Sequence, residues 1–84
     1  MSFFKKINDR TDLMSEMARR VGVDWSRIVG DSPERVRAFR EAALICTQCT
    51  AEGPCRAWQA SHDHAEAAPG YCLNRERLAA LKDA

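Results

Sequence analysis

Four cysteines in a chain of 84 residues are the feature that most constrains this fold. A domain of this length buries too little surface to hold together easily, and such domains are commonly stapled by a metal, a cluster or disulfides. The thiols stand as Cys46-Thr47-Gln48-Cys49, then Cys55, then Cys72, a C-x2-C-x5-C-x16-C spacing. Three positions apart at the end of a helix, Cys46 and Cys49 can face one side, because residues i and i+3 are neighbours on a helical surface. Gly53-Pro54 turns the chain back. If Cys55 then opens the next helix, the N–H groups and positive dipole end there favour its thiolate, the form that ligates metal.

Three fates are open to these thiols. An iron–sulfur cluster is usually held by four cysteine thiolates, and Cys46, Cys49, Cys55 and Cys72 supply that number. A structural zinc ion takes the same four sulfurs but typically as two close pairs, and only one close pair exists here. Disulfides need an oxidising compartment. Met1 to Ile7 carries Phe3 and Phe4 beside Lys5 and Lys6 but no apolar run long enough for a signal peptide or a membrane span, so a cytoplasmic, reducing location is expected. Spacing and compartment together favour an iron–sulfur cluster over zinc, and zinc over disulfides or free thiols. Thirteen basic residues against twelve acidic ones leave a net charge of +1, without the basic excess of a nucleic-acid binder.

The periodicity predicts an all-α fold, a small bundle of about four to five helices in a single domain over 1–84. Residues 1–45 form its helical N-terminal half and 46–84 the half that carries the cysteine motif. Phe3, Phe4, Ile7, Met14, Met17, Ala18 and Val21 fall near one helical stripe that ends at Gly22. A short helical turn follows over Val23 to Val29, with Trp25, Ile28 and Val29 apolar. Ser32 as N-cap, Pro33 at the first position and Glu34 in the first turn open a helix that turns Val36, Phe39, Ala43 and Leu44 inward. After the Gly53-Pro54 break, Cys55 to about His62 forms another helix, and Ala65 to Gly70 reads as a loop. Asn74 is placed to cap a last helix bearing Leu78 and Leu81, with Lys82 in its final turn.

Arg56, Arg75 and Arg77 flank the last two cysteines. Four thiolates around a metal core leave net negative charge, so Arg56 and Arg75 are candidate supporting groups, although a single arginine is more often a solvated surface residue. Trp58, three residues after Cys55, can shield a cluster from water or simply pack in the core. His62 and His64 flank Asp63 beside a polar loop and read as exposed side chains rather than ligands. Asp9, Asp12 and Glu16 read as a solvated helix face. Trp25, Met14 and Met17 have core spacing. No Ser-His-Asp pattern, phosphate loop or nucleotide fingerprint is present.

The runs Ala42-Ala43-Leu44-Ile45-Cys46-Thr47-Gln48-Cys49, Cys55-Arg56-Ala57-Trp58 and Pro69-Gly70-Tyr71-Cys72-Leu73-Asn74 resemble a four-cysteine domain-of-unknown-function family of short bacterial proteins. The likeness covers nearly the whole chain, and that family brings no established activity with it. C-x2-C-x5-C is also similar to part of the cluster loops of endonuclease III-type DNA glycosylases and WhiB-like regulators, both [4Fe-4S] proteins. Their fourth cysteine lies upstream, whereas Cys72 lies downstream, and neither a helix-hairpin-helix nor a basic DNA-binding tail is present here. The resemblance therefore implies ligation and not those functions. The expectation is a non-enzymatic iron–sulfur protein in electron transfer or redox sensing that acts through a protein partner. The alternatives are a zinc-stabilised interaction module and, less favoured, a thiol redox protein using the Cys46–Cys49 pair.

Overall fold

The long first helix is stopped by a glycine. In the computed structural model, which describes residues 2–82, α1 spans Ser2–Arg20. Gly22 then takes a left-handed φ of 91°. Its N–H donates to the Arg19 carbonyl while that of Val23 donates to the Ala18 carbonyl at 2.8 Å, closing the helix with carbonyls that would otherwise be orphaned. Asp24 caps the five-residue α2, Trp25–Val29, by accepting from the Ser26 N–H. Ser32 and Pro33 open α3, Pro33–Thr47, as the sequence predicts: the Ser32 hydroxyl accepts from the Arg35 N–H at 3.3 Å. Two further helices follow, α4 over Glu52–Ser61 and α5 over Arg75–Lys82, and the described residues contain no strand. The described residues therefore form an all-α bundle of five helices, within the expected four to five.

The core is the seam between α1 and α3. From α1 it takes Leu13, Met14, Met17 and Ala18, and from α3 Ala42 and Ala43, whose small side chains let the two helices approach closely. Phe39, Ala42, Ala43 and Cys46 recur at helical spacing along the inner face of α3. Trp25 locks the short α2 onto this seam. Its indole N–H donates to Met14 Sδ at 3.1 Å, and its ring meets Phe39 edge-on with centroids 5.3 Å apart. The molecule measures 34 × 33 × 17 Å, which makes it a flat arrangement about one and a half helix diameters thick.

The sequence leaves the exposure of Phe3 and Phe4 open, whereas two expectations, those for Leu44 and for Gly53-Pro54, need correction. Phe3 and Phe4 are 58% and 69% exposed, because α3 ends level with Arg10 and does not reach the first turns of α1. Leu44 points outward, one helical step past the buried Ala43. Gly53-Pro54 does not break the chain before α4 but lies in its first turn. Proline is tolerated there because the first N–H groups of a helix have no intrahelical acceptor. Cys55 is consequently one turn into α4, its N–H already donating to the Ala51 carbonyl at 2.8 Å. It does not open the helix.

Behind α4 the chain folds back on the end of α1, where the Ala65 N–H donates to the Arg20 carbonyl. The segment is fastened again by Arg75, whose Nε donates to the Ala68 carbonyl, and by Lys82, whose Nζ donates to that of Glu66. Asn74 stands at the start of α5 but its side chain does not cap it. Instead, Nδ2 donates to the Ala42 carbonyl at 2.9 Å across the core, pinning the loop that carries Cys72 to α3.

Candidate functional site

The folding of these segments brings all four cysteines to the wall of one small cavity. Cys46 comes from the last turn of α3, Cys49 from the turn after it, Cys55 from α4 and Cys72 from the loop before α5. Most of the remaining wall is apolar. Leu13, Met14 and Met17 of α1 and Leu78 of α5 close the inner side, and the half-exposed Tyr71 and Leu73 form the rim. The cavity amounts to about 20 Å³. That is room for roughly one water. Asn74 is buried at the same wall, and its Oδ1 has no hydrogen-bond partner, an acceptor such a water would satisfy.

All four thiols are free. Two of the sulfurs accept a hydrogen bond. The Ala51 N–H donates to Cys49 Sγ at 3.4 Å and Gln59 Nε2 to Cys55 Sγ at 3.5 Å. Near the other two, the Asn74 backbone N–H favours the Cys72 thiolate and the Arg10 guanidinium that of Cys46. Burial nonetheless dominates. It pushes the Cys46 thiol up to about 11, against the pull of Arg10 and reinforced by Cys49 and Cys55. Burial also raises Cys55 and Cys72, opposed by the donors from Gln59 and Asn74 respectively. Cys55 is therefore not the activated thiolate that a position at a helix N-terminus implies. Among the described residues, no three cysteine, histidine or acidic side chains stand close enough to share a single metal ion.

The supporting residues differ from those the sequence singles out. Arg56 is exposed and spends its Nε on Glu52 at 2.8 Å, adding only a minor favourable field at Cys55. Arg75 is turned towards the Ala68 carbonyl. Trp58 is half-buried against the core and stacks on His62, with centroids 4.5 Å apart, and does not line the cysteine cavity. His62 and His64 are exposed, as expected.

Two residues that do serve the site were missed. Gln59, buried on α4, donates from Nε2 to the Leu13 carbonyl at 3.1 Å as well as to Cys55 Sγ. Arg10, only 7% exposed, donates from Nη1 to the carbonyls of Cys46 and Cys49 at 2.8 and 3.2 Å and from Nη2 to Glu52 Oε1 at 2.8 Å. A sequence signal for Arg10 existed. The apolar stripe of α1 runs through Ile7, Met14, Met17 and Val21, and Arg10 occupies the position on the same face that the stripe leaves polar.

A larger, open groove lies between α1, α2 and α3, lined by Ser15, Arg19, Val23, Trp25 and Phe39 among others. It contains none of the cysteines.

Fold and site together define a small all-α protein whose C-terminal half closes four cysteines around an apolar cavity. The chain belongs to DUF6455, a family of unknown function, which matches it over residues 1–84. No curated protein and no solved structure matches it.

Proposed function

We propose that this protein is a small iron–sulfur carrier, binding a cluster through Cys46, Cys49, Cys55 and Cys72 and serving electron transfer or redox sensing rather than catalysis. The observation that carries this reading is the gathering of four free sulfurs around one largely apolar cavity, two of them accepting hydrogen bonds, Cys49 from the Ala51 N–H and Cys55 from Gln59. Donors at the sulfurs and a dry wall are the levers by which a protein holds a cluster and tunes its potential. The cavity as it stands has room for about one water, so binding a cluster requires its walls to move apart. Bound there, a cluster would supply one-electron chemistry. The chain's own contribution is to exclude water with Leu13, Met14, Met17 and Leu78 and to offset the negative charge of the thiolates with donors.

Electron exchange with a protein partner would proceed across the Tyr71 and Leu73 rim, where the cavity comes nearest to solvent. The test is replacement of each cysteine by serine, one at a time, followed by iron and sulfide analysis and a visible spectrum of protein prepared without oxygen. Loss of the cluster signal in all four variants, Cys72→Ser included, is the expected result. Unchanged metal content and folding in Cys72→Ser would refute the four-ligand site. One zinc per native chain with no colour would instead indicate a zinc-stabilised interaction module.

A further inference from the structure

Arg10 is the only charged side chain buried among the described residues. Burying a guanidinium is costly unless its donors are satisfied and its charge is matched. Its donors go to three places that have one thing in common. The carbonyls of Cys46 and Cys49 lie at the end of α3 and the Glu52 carboxylate in the first turn of α4, so one side chain fastens both ends of the loop that presents Cys46, Cys49 and Cys55. The first contact adds a further donor to the Cys46 carbonyl, which already accepts from the Cys49 N–H at 3.1 Å.

The charge of Arg10 is poorly matched by Glu52, which is itself 40% exposed and shared with Arg56. It is better matched by a group that brings negative charge to the cavity, since both carbonyls that the guanidinium binds belong to cysteines of the cavity wall. We infer that Arg10 is the positioning residue of the cysteine site, clamping the C-x2-C-x5-C loop and supplying the buried counter-charge that holds a reduced, more negative cluster in place. This rests on the cluster reading above. Lysine cannot substitute fully, because a single ammonium lacks the planar fork that spans two carbonyls and a carboxylate at once.

The experiment compares native protein with Arg10→Lys and Arg10→Met, all reconstituted anaerobically with iron and sulfide. Three quantities are read: the rate of cluster loss to a chelator, the midpoint potential, and the thermal melting of the metal-free protein. Arg10→Met is expected to lose its cluster about tenfold to a hundredfold faster, as is usual when a supporting contact to a metal ligand is removed. Its potential should fall, because removing a positive charge disfavours the reduced state. Arg10→Lys, which keeps the charge and serves if Arg10→Met does not fold, should lose the cluster faster while its potential stays closer to native. Native cluster lifetime and potential in both variants would overturn the inference and leave the cluster reading standing. Native protein that takes up no cluster would overturn both.

Discussion

Leu78 carries a load disproportionate to its size, and shortening it to alanine probes how the cavity is closed. The side chain has no exposed surface and belongs to the apolar wall behind the cysteines. It sits on the eight-residue α5, a length that is not stable as a helix in water without tertiary support. α5 makes little helix–helix contact of its own and is held by Leu78, the half-buried Leu81 and the Asn74 bond to Ala42. A buried Leu→Ala change costs about 2–5 kcal/mol, rising with the void that remains. Here the new void merges with an existing one, so a loss of about 3 kcal/mol or more is expected. A chain of this length has a total stability of about 4–13 kcal/mol. For a domain of this size, 3 kcal/mol lowers Tm by roughly 12–24 °C. Urea and thermal melts followed by far-ultraviolet dichroism, on reduced metal-free protein, measure the loss. Alkylation of Cys72 read in parallel should speed up as α5 loosens. A loss below about 1 kcal/mol, with Cys72 no more reactive than before, would refute the placement of Leu78 and α5 over the cavity.

Two further outcomes follow from local structure and from the thiols. Gly22→Ala should cost about 1–2 kcal/mol in a urea melt, because its left-handed φ of 91° resists any Cβ even though the nearest atom, Lys82 Cε, would be an acceptable 3.4 Å away; a variant as stable as the native chain would contradict the helix ending described here. In the metal-free protein, Cys46 is held protonated to about 11 against an ordinary thiol value of 9.0. Between those values the native state keeps a proton that the unfolded state has released, so stability falls as pH rises. This contribution is whole below pH 9.0 and fades by about pH 11, and a urea midpoint for reduced apoprotein that stays flat across that window would show the thiol to be open to water.

The parts of this structure that were legible in the sequence are those decided locally. Ser32-Pro33-Glu34 marks the start of α3 because cap, ring and first-turn charge act within one helical turn. Gly22 ends α1 for an equally local reason. The four cysteines were legible as a group because few other roles suit so many thiols in so short a chain. What escaped depends on residues far apart. Gly53-Pro54 looks like a break until the Ala51 carbonyl is seen accepting from Cys55. Asn74 looks like a cap, yet its amide serves Ala42, thirty-two positions away. Charge near the motif drew attention to Arg56 and Arg75. The side chain that touches the cysteine loop is Arg10, 36 positions before Cys46 and on another helix. A polar residue interrupting an apolar stripe was its signature, and such a residue is costly to bury unless something across the core receives it.

Metal and sulfide content tests the central claim most directly. Untagged native protein, purified and kept without oxygen, should show broad absorption in the violet with about four irons per chain and acid-labile sulfide to match, the composition of a [4Fe-4S] cluster held by four cysteines. Colourless protein with neither iron nor sulfide after anaerobic purification and reconstitution would contradict the account, whether it carried one zinc or no metal at all.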